Sequence, residues 1–212
     1  MTLTSDNIYI TTLINTLLVP LTIVIFGILV NAVATAITSL IAMLLGGRAA
    51  FFIRNRLTYV GTVHHELAHA LFAFVTGAEV NKITLRIKGN TLGSVKFTPR
   101  GNFVFRGIQK TMAAIAPVVC GSISLYLMWR YAFGYCQVWW QLAIFYYAAI
   151  SILFHMTMSP ADIRSALQGL PVCLVIIYIL FYITKWNYWG WLTNYWNMTV
   201  GPILSGLANF SV

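Results

Sequence analysis

The sequence predicts an all-α polytopic membrane protein of about six transmembrane helices, or seven, with one small membrane-associated β-hairpin after the motif helix. Three observations predict it. Only thirteen Lys or Arg and four Asp or Glu occur in 212 residues, so 8% of the chain is charged, against about 25% in soluble domains. Apolar residues make up 59% and the mean hydropathy is +0.81. The run from Asn7 to Gly47 holds no charge at all, and it is about twice the ~20 helical residues that cross a bilayer core. A water-soluble globule would lack the polar surface to cover itself, whereas a bilayer protein satisfies its backbone internally and needs few charges. A cytosolic enzyme, a secreted disulfide scaffold and a disordered tail are excluded. The net charge of +9 does not point to nucleic acid, because the basic residues are scattered between apolar runs.

The elements follow in order. Residues 7–47 read as two retained anchor spans with a break at Gly27 to Asn31; one long helix kinked near Pro20 is the alternative. The run is too long for a signal-peptide core and has no basic leader. Arg48, Arg54 and Arg56 form a short basic loop, and a third apolar segment runs from about Leu57 to Gly77. From Glu79 to Lys110 the character changes, with seven of the thirteen basic residues. Val80, Ile83, Leu85 and Ile87 are interleaved with Thr84, Arg86 and Lys88. After turn residues at 89–93, Val95 and Phe97 alternate with Ser94, Lys96 and Thr98. Period two marks strands, so this is a hairpin. Three spans follow at about Thr111 to Tyr131, Val138 to Thr157 and Ala166 to Thr184. An aromatic tail from Trp186 to Trp196 then forms a seventh span or lies along the interface. The expected organisation is one membrane-embedded domain over 1–212: anchors 1–56, a core 57–167 including the hairpin 79–98, and a C-terminal helix and tail 168–212. Cys120, Cys136 and Cys173 sit in apolar stretches without C-x-x-C spacing and read as free thiols.

His65-Glu66-Leu67-Ala68-His69 is H-E-x-x-H on an apolar helix. Residues four apart share a helix face, so both imidazoles can meet one Zn²⁺. Glu66, next to them, is close enough to take a proton from an attacking water. With four His and two Glu, chance gives this pattern in roughly one such chain in a thousand. Ionisable side chains inside a span cost on the order of 3 kcal/mol each and mark functional sites by default. Zinc takes a third protein ligand. His64 points about 100° away around the helix, and Glu79 and Asp6 are poorly placed. His155 and Asp162 remain, and spacing alone leaves them equal. Ser159-Pro160-Ala161-Asp162 also reads as a helix start, with Ser as N-cap and an acid at the third position.

With Ala70 following, the H-E-x-x-H helix resembles the site-2 protease family of intramembrane zinc metalloproteases. Gly77-Ala78-Glu79-Val80 leading into a hairpin is similar to the membrane-associated sheet of that family. Ala116-Pro117 is similar to the Gly-Pro of its second core helix, with Ala in place of Gly. The resemblance covers roughly Leu57 to Leu167. It implies that Asp162 is the third ligand, although Ile163 stands where the family has Gly. Six residues, 132–137, separate the second and third core helices, leaving no room for a PDZ insertion.

The expected function is therefore hydrolysis of a peptide bond in or near a transmembrane segment of a membrane-protein substrate, in a signalling setting. Zn²⁺ would be held by His65, His69 and Asp162, with Glu66 as the base. The hairpin edge would supply backbone partners to an unwound substrate, as in β-augmentation. Asn81, Asn90 and Asn102 are oxyanion candidates without support from spacing, and Arg164 belongs at the interface. The basic hairpin favours the cytoplasmic side of a bacterial-type cell membrane or an organelle membrane; the Arg48 to Arg56 loop opposes that placement. The alternative function is a non-proteolytic membrane subunit or scaffold that keeps a metal-binding, protease-like fold.

Overall fold

The computed structural model describes residues 8–85 and 93–209, with side chains to residue 202. Asp6, Asn90, the turn at 89–92 and the continuation of the first strand through Arg86 to Lys88 lie outside the described residues.

The chain is helical with one two-stranded sheet. Helix α1 covers Ile8–Leu45 and α2 covers Gly47–Phe52, which runs into a π-helical turn at Ile53–Leu57. Helix α3 covers Tyr59–Val75. Strands β1 (Glu79–Thr84) and β2 (Ser94–Thr98) precede α4 (Phe103–Leu127), α5 (Trp139–His155), α6 (Pro160–Thr184) and α7 (Tyr188–Asn209). Three stretches among the described residues are long and apolar enough to cross a membrane: Ile8–Leu45, Phe103–Tyr135 and Pro160–Thr184. Helices α3 and α5 stand where spans were expected, but each has 17 residues. The aromatic tail forms α7, which is not among the three.

The first expected span pair is one helix of 38 residues. At ~1.5 Å per residue it measures about 57 Å, nearly twice a bilayer core of ~30 Å. Nothing at Gly27 to Asn31 ends it. No proline or turn pair follows, and a lone glycine costs a helix only about 1 kcal/mol.

Two compact units are formed. One joins residues 1–23 to 174–212, and the other is Val24–Cys173. In the first, the buried Asn15 accepts from the Trp189 backbone N–H at 3.0 Å. Thr22 Oγ1 meets the Tyr188 hydroxyl at 2.8 Å, and the Tyr9 and Tyr182 rings stack at 5.6 Å.

The second unit has an interior of small residues. Ala68, Ala73, Ala113 and Ala116 are at most 3% exposed, while Phe74 and Val75 are above 70%. Small side chains inside and large apolar ones outside is the packing expected in lipid, where no hydrophobic force drives helices together and close backbone approach does. Helix α3 packs between α4 and α5. Gly61 permits the α3–α5 contact, since a Cβ there would lie 1.9 Å from the Ser151 carbonyl oxygen. Gly169 permits the α4–α6 contact, since its Cβ would lie 2.0 Å from the Gly107 oxygen.

Gly77 follows α3 with φ +87°, a left-handed value that favours glycine. It turns the chain into β1, which pairs antiparallel with β2 from Glu79↔Thr98 to Thr84↔Ser94, with an irregularity at Asn81. Val80 and Phe97 pack on Ala73, Ala78 and Ala113. The buried Gln109 ties the hairpin ends to the helices: it donates to Thr76 O at 3.1 Å and accepts from Arg100 N at 2.8 Å.

Candidate metal centre

His65, His69 and Asp162 come together within the second unit. Their donor atoms all lie within 4.8 Å of one another. His69 Nε2 is 3.0 Å from His65 Nε2 and 3.6 Å from Asp162 Oδ1. A tetrahedral ion with bonds of about 2.0–2.1 Å needs donors about 3.3 Å apart, so the two measured edges bracket the requirement. The rings meet edge to face, with centroids 4.6 Å apart and planes at 79°.

The second donor atom of each ligand is pinned by backbone, and in each case the backbone group is one that a helix leaves over. His69 Nδ1 donates to Ala113 O at 2.7 Å. Within α4, that oxygen would ordinarily accept from the N–H of residue 117, which is proline. Proline has no N–H, so Ala113 O is open. His65 Nδ1 donates to His155 O at 2.6 Å; His155 is the last residue of α5, where carbonyls lack helical partners. Asp162 Oδ2 accepts from the Ser159 N–H at 2.8 Å, and Asp162 N–H donates to Ser159 Oγ at 3.2 Å. This reciprocal cap starts α6 and leaves Oδ1 turned to the imidazoles. The cap and the ligand are thus compatible roles of one carboxylate.

The tautomers follow. A carbonyl only accepts, so both Nδ1 atoms carry a proton, and in the neutral form of each ring its Nε2 presents a lone pair. Two lone pairs then face each other across 3.0 Å. Two neutral acceptors at that distance repel, and either a proton shared between them or a metal ion removes the repulsion. Backbone carbonyls that hold the far ring nitrogen of a histidine are the usual outer layer around a metal-ligating imidazole. The donor set, two imidazoles and a carboxylate, suits zinc with one open position.

Glu66 is 7% exposed. It lies under the start of β2: a Cβ at Gly93 would come within 2.7 Å of Glu66 Cγ and 3.0 Å of its Oε1. Only glycine lets the hairpin approach the carboxyl this closely.

The other candidates lie elsewhere. The His155 side chain is not in the cluster. Its Nδ1 donates to Ser151 O at 3.0 Å, and its contribution to the site is the carbonyl held by His65. His64 Nε2 meets Ser124 Oγ at 2.9 Å on another face of α3, lining a separate apolar groove of about 600 Å³. Glu79 pairs with Arg100 at 2.6 Å. Asn102 caps α4 by accepting from Phe105 N at 3.1 Å, and Asn81 accepts from Thr98 Oγ1 at 2.9 Å. Arg164 is exposed on α6. The three cysteines are free and half-buried. Sequence reasoning missed the roles of Ala113 and Gly93, while Ser159 caps α6 as its N-cap reading expected; the proline four residues after Ala113 was the one available signal.

No family model matches the chain, and no curated protein and no solved structure matches it.

Proposed function

We propose that the protein is a multi-pass intramembrane zinc metalloprotease. The observation that carries this reading is the convergence of the Nε2 atoms of His65 and His69, 3.0 Å apart, beside Asp162 Oδ1, with Glu66 buried one position along the helix. His65, His69 and Asp162 would hold the ion. When bound, zinc supplies a Lewis acid for the scissile carbonyl and acidifies the attacking water. Glu66 takes the proton from that water on a carboxylate oxygen and delivers it to the leaving amine nitrogen. The backbone partners at Ala113 and His155 keep both imidazoles in one tautomer through the cycle.

A helical substrate hides its carbonyls in its own hydrogen bonds. Among the described residues no third strand pairs with the two-stranded sheet, and β2 begins against Glu66 through Gly93. An unwound substrate segment adding to that sheet finds backbone partners next to the base. The apolar, outward-facing helices suit substrates that arrive through the bilayer.

The test compares cells carrying wild type and Glu66→Gln, with zinc content measured in both. A membrane protein that stays uncut only in the variant, at equal zinc content, supports proteolysis. Identical fragment patterns with zinc retained leave a non-proteolytic metal-binding subunit and refute the protease.

A further inference from the structure

The hairpin has two unlike faces. Val80 and Phe97 pack on the helices, and Ile83 and Val95, paired with each other, share that side. The other side carries Glu79, Lys82, Thr84, Ser94, Lys96 and Thr98. Lys82 and Lys96 are direct cross-strand partners, and both are exposed. Like charges placed opposite one another weaken a strand pair, so this doublet works against the hairpin unless an anion lies over it.

The acids among the described residues do not supply that anion. Among the described residues Glu79 is taken by Arg100, Asp162 faces His69, and Glu66 is buried. An external anionic surface would relieve the repulsion, and the helix that follows lies near one. Helix α4 starts at Phe103, five residues after β2 ends at Thr98, and lies within a stretch able to cross a membrane. Its first turn exposes Phe103 at 75% and Phe105 at 57%, flanked by Arg100 and Arg106. Basic side chains at the end of a spanning helix belong in the headgroup layer, with the apolar Phe103 and Phe105 rings turned to the acyl side. Gln109, bonded to both Arg100 N and Thr76 O, keeps the hairpin at that end of α4.

We propose that the outward face of the hairpin, through Lys82 and Lys96, docks on the phosphates of anionic phospholipid headgroups. The inference rests on the chain's being a membrane protein and is independent of proteolysis. Docking offsets the repulsion between the two lysines and presses the sheet toward the helices that carry the metal centre.

The test titrates dioctanoyl phosphatidylglycerol into the full-length protein in neutral detergent and reads hydrogen exchange in residues 79–84 and 94–98. We expect saturable protection by this lipid and none by dioctanoyl phosphatidylcholine. In Lys82→Gln/Lys96→Gln the midpoint moves about 30-fold upward, at roughly fivefold per lysine. Lys82→Arg/Lys96→Arg keeps the wild-type midpoint, which separates lost charge from a lost hairpin. No protection by the anionic lipid, or an unmoved midpoint in the Gln variant, overturns the proposal. So does protection by an acidic peptide where the lipid gives none, which would assign the face to a protein partner. Alkaline carbonate extraction of the starting membranes is run alongside; release of the chain would refute the membrane reading itself rather than the docking.

Discussion

Pro117→Ala should separate metal binding from stability. Proline inside a helix costs ~3 kcal/mol, and here its missing N–H leaves Ala113 O free for His69 Nδ1 at 2.7 Å. Alanine restores the N–H, which returns to the Ala113 oxygen and competes with the imidazole. His69 then loses the bond that fixes its tautomer and ring angle. Loss of such a partner typically costs 10–100-fold in metal affinity, or about 1.4–2.7 kcal/mol. The apo protein moves the other way. It recovers up to ~3 kcal/mol of helix strain and gives up the fully buried proline ring, about two methylenes at ~0.8 kcal/mol each. A net gain of roughly 1 kcal/mol remains. The assay is competitive zinc titration against a chromophoric chelator, with thermal denaturation of the metal-free protein in the same detergent. Pro171→Ala is the control: Pro171 also lies inside a helix, α6, but the carbonyl it frees, at Leu167, holds no ligand. Unchanged zinc affinity in Pro117→Ala, or an equal loss in Pro171→Ala, refutes the reasoning.

Asp162→Ala should abolish stoichiometric zinc, whereas His155→Ala should retain it because the carbonyl that holds His65 belongs to the backbone; metal analysis of the two purified variants decides, and the reverse pattern would make the His155 side chain the ligand. Ser159→Ala removes the hydroxyl that accepts from Asp162 N and should cost about 1 kcal/mol of α6 stability together with about tenfold in zinc affinity, read by the same titration. Gly93→Ala puts a methyl 2.7 Å from Glu66 Cγ; zinc content should stay at the wild-type level while cleavage of the substrate found with Glu66→Gln falls at least about tenfold, the scale of a misplaced general base, and normal cleavage would show that the hairpin does not fix Glu66.

Much of the side-chain cluster was legible because its information is local. H-E-x-x-H sets two imidazoles on one helix face wherever the helix packs, and Ser-Pro-Ala-Asp starts a helix by its own chemistry. The alternation around Val80 and Val95 announced the hairpin for the same reason. Asp162 against His155 was not decidable from spacing, because both flank the same short break between α5 and α6. Only the packing of α3 between α4 and α5 shows which end of that break supplies a side chain and which a carbonyl. Pro117 was visible as a residue, but what its missing N–H releases depends on His69 arriving from another helix. Gly93 read as a turn residue, while its reason for being glycine is the Glu66 carboxyl beneath it. The continuity of α1 stood only as the alternative because two short spans and one long helix share the same uncharged run, and nothing local distinguishes them.

The most direct test of the account is zinc X-ray absorption on the purified wild-type protein. One zinc per chain, with two imidazole nitrogens at about 2.0–2.1 Å and a carboxylate oxygen at about 2.0–2.2 Å in the first shell, is the predicted result. A metal-free protein that fails to take up zinc, or a shell containing sulfur from Cys120, Cys136 or Cys173, would contradict it.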